Sequence, residues 1–308
     1  MTIKLTPNDS INETLKHCSK NDEILLSNGI YNEKVLINVD GISLIGESKN
    51  GVIIKNKDFF YKIMSDFNEC NTFRTYTVAV TAPNVKIKNL TIENSSVPAE
   101  KYGQAVALHA DGDNLLCDNV ILRSEQDTLF TGPLPEDLII RHQGFLTKEF
   151  LNGKPTRQIY NNCEISGNVD FIFGSAQALF NECDIISVGR TSSKMESYVS
   201  APSHAKNMKF GYLFYKCNLI NKTNTKDTVY LSRPWRDYGT AAFINCNIEN
   251  HINPKGFINW GGTERFKTAR YFIYSDTFDT SKIIDWAKVL TKDEAKQYCN
   301  DFMDNLKK

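Results

Sequence analysis

Asp170 lies in the run Val169-Asp170-Phe171-Ile172-Phe173-Gly174, and Asp127 follows Gln126 just past the burst Val120-Ile121-Leu122. A carboxylate among Val, Phe and Ile is costly unless it is paired or hydrogen-bonded. Gln104 precedes a second apolar run, Ala105-Val106-Ala107-Leu108, and Arg233 and Trp235 end Tyr230-Leu231-Ser232-Arg233-Pro234-Trp235. Two carboxylates, two amides and a guanidinium on consecutive turns of a chain form a set of groups suited to hydrolysis. The amides and the Arg around one Asp fit ester chemistry better than glycosidic cleavage, which calls for clustered carboxylates. Each residue also has a plainer reading. Asp127 and Asp170 can be turn or cap residues. Arg233 and Trp235 can be a structural cation–π pair. Gln104 and Gln126 can be amides that satisfy backbone groups.

Other chemistries lack their signatures. There is no Gly-x-Ser-x-Gly elbow, no His-Glu-x-x-His and no phosphate-binding loop. The histidines, at 17, 109, 142, 204 and 251, have no metal-ligand spacing. A Ser-His-Asp triad built from distant residues stays open, with nothing to favour it.

Such a set of groups needs elements that return to the same place. Six bursts share one pattern: Asn89-Leu90-Thr91-Ile92, Asn119-Val120-Ile121-Leu122, Asn162-Cys163-Glu164-Ile165, Glu182-Cys183-Asp184-Ile185, Lys216-Cys217-Asn218-Leu219 and Asn245-Cys246-Asn247-Ile248. Apolar second and fourth positions alternate with polar ones, as in a strand with one buried face. Their second positions are 30, 43, 20, 34 and 29 residues apart. A constant short strand with variable spacers predicts an all-β coil whose turns stack, a right-handed parallel β-helix, with a β-sandwich as the alternative. Its Cys positions are expected to be inert core. The chain holds 31 Asn, which suit tight bends because Asn tolerates left-handed backbone angles. Short helices are expected at both ends: one over Ser10–Ser19, and one over Trp286–Leu306, which contains the capping-box spacing Thr291-Lys292-Asp293-Glu294. No polar linker separates domains, so residues 1–308 read as one.

Composition narrows the partners. Thirty-six basic residues balance thirty-six acidic ones, which argues against a nucleic-acid backbone as the main ligand. No run of 18 apolar residues occurs, so no membrane span is expected. The first residues carry no basic stretch followed by an apolar one. The expectation is therefore a cytoplasmic protein with free, buried thiols, or an extracellular one if a native leader has been removed.

Taken in order, Gly29-Ile30-Tyr31-Asn32-Glu33, Gly103–Leu108, Gln126-Asp127-Thr128-Leu129, Asp170–Gly174 and Arg233-Pro234-Trp235 make the chain resemble the pectin methylesterase family over nearly its whole length. The resemblance implies hydrolysis of the C6 methyl esters of galacturonate units, in pectin or its oligosaccharides, with release of methanol. It implies Asp170 as nucleophile, Asp127 as general acid/base, Gln104 and Gln126 as oxyanion donors, and Arg233 as the residue holding Asp170. Trp235, Phe130, Phe173 and Trp260 match positions that contact sugars. No metal and no cofactor is implied, and a monomer is expected. A thioesterase-like relative and a non-catalytic carbohydrate-binding β-helix are the alternatives.

Three departures stand out. The 43 residues from Asp127 to Asp170 exceed what many relatives show, and the extra piece, about 132–154, is expected to form a loop or hairpin at the groove. The usual Leu-Gly-Arg-Pro-Trp reads Leu231-Ser232-Arg233-Pro234-Trp235, where tolerance is expected. The usual Gly-Tyr-Ile-Thr-Ala-Gln reads Ser197-Tyr198-Val199-Ser200-Ala201-Pro202, which is expected to reshape one wall.

Overall fold

The six repeated bursts do stack. Their fourth residues form one register line, Ile92, Leu122, Ile165, Ile185, Leu219 and Ile248, each paired with the next along parallel strands. Their second residues, Leu90, Val120, Cys163, Cys183, Cys217 and Cys246, are all buried. A computed structural model describes residues 1–66, 68–192 and 195–307. Among these residues the chain winds through three parallel sheets. One has 11 strands, from Thr2–Leu5 to Lys288–Val289; one has eight, from Gly29–Asn32 to Asn247–Ile248; one has seven, from Val35–Ile37 to Val229–Ser232. The architecture is a right-handed parallel β-helix, as the spacing predicts.

The turn from the 11-stranded to the eight-stranded sheet explains the first letter of the repeat. Asn89, Asn119, Asn162, Glu182, Lys216 and Asn245 all have positive φ, between 52° and 56°. A Cβ is disfavoured there, and Asn is penalised least after Gly. The Asn119 side chain also donates to the Asn89 side chain at 2.8 Å, tying one coil to the next.

Inside the coil one row changes character along the axis. Ile24, Leu44, Ile87 and Cys117 give way to Tyr160, Phe180, Phe214 and Phe243. The four rings stack with centroids 4.9, 4.6 and 4.3 Å apart and planes within 10°. Those distances are close to the spacing between strands, so flat rings stack with no distortion of the sheet. Burying each Phe contributes about 2–3 kcal/mol. The cysteine row lies beside it. Cys163, Cys183, Cys217 and Cys246 each donate Sγ–H to a carbonyl of the preceding coil, at 3.5, 3.2, 3.3 and 3.4 Å. All four are buried, and burial pushes the Cys163 and Cys217 thiols up, so the row is packed as core.

The terminal helices are shorter than expected, and only the first packs into the coil's core. Helix α1 is Ile11–Leu15, with the Ser10 side chain accepting from the Glu13 N–H and with Ile11 and Leu15 buried in the coil's core. Helix α2, Ala99–Tyr102, is a single turn before Gly103. Helix α3, Glu136–Arg141, and a 3-10 turn, Lys148–Leu151, fill the inserted segment, which is therefore not a hairpin. Helix α4 begins at Lys292, not Trp286, and runs to Leu306. Thr291 caps it in a full capping box with Glu294. The preceding Lys288–Val289 continues the coil by pairing with Phe272 and Ile273, which is why the helix starts late. Phe302 and Leu306 pack the helix back against Phe210 and Leu213.

Candidate active site

The corner between the eight-stranded and seven-stranded sheets gathers the candidate residues. Asp127 and Asp170 sit there on successive coils, with φ of 62° and 48°. The Asp127 N–H donates to the Val169 carbonyl at 3.1 Å, so the two corners lie directly against each other. The strand Val169–Gly174 slips register against Ser197–Pro202 between Val169 and Ile172, and Asp170 occupies that bulge. A bulge re-aims a side chain. Here both carboxyls border a cleft of about 400 Å³ instead of entering the core.

Arg233 holds Asp170. Its Nε donates to Oδ1 at 2.8 Å and its Nη2 to Oδ2 at 2.6 Å, a bidentate fork. The guanidinium is itself clamped between two rings, with Tyr198 at 3.6 Å and Trp260 at 4.2 Å. Two departures from the family pattern meet beneath it. The buried Ser232 hydroxyl donates to the Ser200 carbonyl at 3.2 Å, and the Ser200 hydroxyl donates to the Leu231 carbonyl at 3.0 Å. The added hydroxyl is thus satisfied by a backbone carbonyl on the neighbouring coil.

Burial pushes the Asp127 carboxyl well above the usual carboxylate range, the charge of Asp170 adds to the push, and Arg233 opposes it. Burial also raises Asp170, but there the Arg233 fork pulls back and leaves a smaller shift. Of the two carboxyls, Asp127 is therefore the one whose surroundings favour the protonated form. Gln104 and Gln126 line the same cleft. Their backbone carbonyls accept from Phe60 and Ala105 at 3.0 and 3.1 Å, while their side-chain amides bond to no other described group. A carboxylate held by Arg, a protonated carboxyl beside it and two free amides together can supply a nucleophile, a proton donor and an anion cradle.

The aromatic candidates divide. Trp235, Trp260 and Phe173 border the cleft, with Trp235 edge-on to Phe173 at 5.6 Å. Phe130 does not line it. Its ring is fully covered, packed against Phe73, His109 and Phe173 at 5.3, 4.6 and 5.1 Å. It lies beside Phe173 on the preceding coil and backs two rings that do border the cleft, Phe73 and Phe173. Sequence reading missed Phe60, Asn71, Thr72 and Phe73, which reach the cleft from an irregular segment without periodicity, and Leu138, Arg141 and His142 from α3. Arg236 was one residue from a quoted motif. Among the described residues no group of three or more His, Cys, Asp or Glu could hold a metal ion.

The Pectinesterase family model matches residues 4–133 and 143–305. The chain belongs to the pectinesterase family. It is 30% identical over 292 residues to pectinesterase QRT1 of Arabidopsis thaliana, covering 91% of this chain and 68% of that protein. It is 30% identical over 275 residues to probable pectinesterase/pectinesterase inhibitor 64 of the same plant, covering 82% of this chain but only 40% of that protein's length. Among solved structures it is similar to the pectin methylesterase PemA from Erwinia chrysanthemi, with 25% identity, a TM-score of 0.77 and coverage of 96% of this chain and 94% of that one. It is similar as well to an aspartate-to-alanine variant of a pectin methylesterase in complex with a hexasaccharide, with 25% identity, a TM-score of 0.75 and coverage of 94% and 91%. The family model omits residues 134–142, which contain all of α3.

Proposed function

We propose that this pectinesterase-family chain hydrolyses C6 methyl esters of galacturonate units, in pectin or its oligosaccharides, with Asp170 as nucleophile and Asp127 as acid and then base. The observation that carries the reading is the pair itself: an Arg-held carboxylate against a carboxyl whose surroundings keep it protonated. Family membership and the neighbour seen with a bound hexasaccharide support the substrate class.

An Asp170 oxygen attacks the ester carbonyl, and the carbonyl oxygen becomes an oxyanion that the Gln104 and Gln126 amides stabilise. The C–O bond to the methoxy group breaks, and that oxygen takes the Asp127 proton and leaves as methanol. The sugar carbonyl is now joined to Asp170 as an anhydride. Ionised Asp127 then draws a proton from water, the hydroxide attacks the anhydride, and Asp170 is released as a carboxylate. The free sugar acid departs with Asp127 protonated again. Arg233 touches Asp170 rather than the reacting ester, so it acts as a positioning residue. Trp235, Trp260 and Phe173 offer apolar faces for sugar rings.

Methanol release from methyl-esterified oligogalacturonides is the direct test. Asp170→Ala is expected to remove turnover, by at least ~10³-fold, while circular dichroism shows the coil intact. Ester hydrolysis at the wild-type rate in a folded Asp170→Ala protein overturns the nucleophile assignment.

A further inference from the structure

Helix α3 lies outside the family match, yet it is fixed firmly over the cleft. Asp137, in its first turn, accepts from Arg236 Nε at 3.1 Å and Nη2 at 2.8 Å. Arg236 follows the strand Val229–Ser232, three positions along the sheet from Leu129–Thr131, the strand that leads into α3. The fork therefore ties the helix across the coil that carries Asp170. The other side of the insertion is anchored as well. Phe145 lies beneath the Arg74 guanidinium at 4.6 Å, and Phe150 stacks on Tyr76 at 5.5 Å. A segment held at both ends presents its side chains in a defined place.

What α3 presents at the cleft is an exposed cation. Three arginines border the cleft. Arg233 is matched by Asp170 and Arg236 by Asp137. Arg141 forms no ion pair and no side-chain hydrogen bond among the described residues; the charge of Asp137, one turn earlier, reaches it, but both oxygens of that carboxylate are taken by Arg236. Beside it, burial holds His142 below its usual value, so that ring adds no charge at neutral pH. A guanidinium with a free fork is shaped to receive a carboxylate. The proposed reaction leaves a carboxylate on each sugar it has processed.

We propose that Arg141 binds the free carboxylate of a galacturonate neighbouring the one whose ester is cleaved, so that the cleft favours partly de-esterified oligomers over fully esterified ones. The proposal rests on the function argued above, and its test is separable from it. Calorimetric titration of the full chain would compare trigalacturonate with its tricarboxamide, a neutral analogue of similar shape. Wild type is expected to bind the acid about tenfold more tightly, with the ratio shrinking as salt rises. Arg141→Gln is expected to bring the ratio close to one, and Arg141→Lys to restore part of it. Equal or no binding of the two ligands by wild type, or an unchanged ratio in Arg141→Gln, overturns the subsite. Discrimination through Arg141 in a protein that releases no methanol would leave the carboxylate site standing and overturn ester hydrolysis instead.

Discussion

Two corners of this coil use the same backbone conformation for opposite ends. At the corner into the eight-stranded sheet, positive φ falls mostly on Asn, and the neighbouring Asn89 and Asn119 side chains bond to each other. At the corner into the seven-stranded sheet, positive φ falls on Asp127 and Asp170. Their side chains face a cleft, and burial raises both above the ordinary carboxylate range. The first corner places a residue that the conformation favours and satisfies it locally. The second places charged groups in a low-dielectric wall and satisfies only one of them, through Arg233. Left-handed backbone serves packing in one place and aims chemistry in the other.

The largest expected effect breaks the second corner at its acid. Asp127→Asn removes the proton donor and is expected to slow methanol release by about 10³-fold. Stability should move the other way. The folded carboxyl titrates well above its ordinary value, so protons bind the folded state more tightly. The resulting contribution is full below about pH 4 and is lost as pH rises through the raised folded value. An amide carries no such loss, and Asn suits φ of 62°. Thermal melts of wild type and Asp127→Asn should therefore diverge as pH rises from 4 to 8, with the variant melting higher. A variant that melts lower at neutral pH shows that the carboxylate is stabilised in the fold, and the contrast between corners disappears.

The contrast also explains what was legible in the sequence. The coil was readable because its repeat recurs six times and stacking buries Leu90, Cys163 and Cys217 together. Asp127, Asp170, Gln104 and Arg233 were readable because each sits in or beside an apolar run, where a polar group has to be explained. Phe73 and Asn71 were not, because the segment they occupy follows no period and is placed by tertiary packing alone. The expectation that Phe130 contacts sugar came from a position matched to the family, and such a match does not say whether Phe73 and His109 cover the ring. The start of α4 failed for a related reason. Pairing of Lys288 with Phe272 is a long-range event, and it outweighs the local pattern up to the Thr291 cap.

A smaller effect is expected at the first corner. Asn119→Ala replaces a residue that tolerates φ of 56° with one that tolerates it less and deletes the bond to Asn89. The two losses together should cost about 2 kcal/mol, read as a lower urea midpoint with an unchanged slope. Methanol release per folded molecule should stay at the wild-type value, since Asn119 borders no part of the cleft. Loss of activity without loss of stability would mean that this corner also tunes the site.

The smallest effect sharpens the comparison most, because it applies one substitution logic to both corners. Lys216 holds φ of 54° at a position where Asn stands on the next coil, at Asn245. Lys216→Asn removes a mismatch between side chain and backbone and offers an amide to Asn245. It gives up the pair with Glu182, at 3.6 Å and half exposed on both sides, which is worth at most ~1 kcal/mol. The net gain is expected to be about 0.5 kcal/mol, seen as a melting temperature higher by about 1 °C with unaltered turnover. Asn at residue 127 and Asn at residue 216 should thus both raise stability, while only the first removes activity. If Lys216→Asn instead lowers the melting temperature, the surface pair with Glu182 outweighs the backbone preference, and Asn at this corner reflects side-chain bonding between coils more than its tolerance of positive φ.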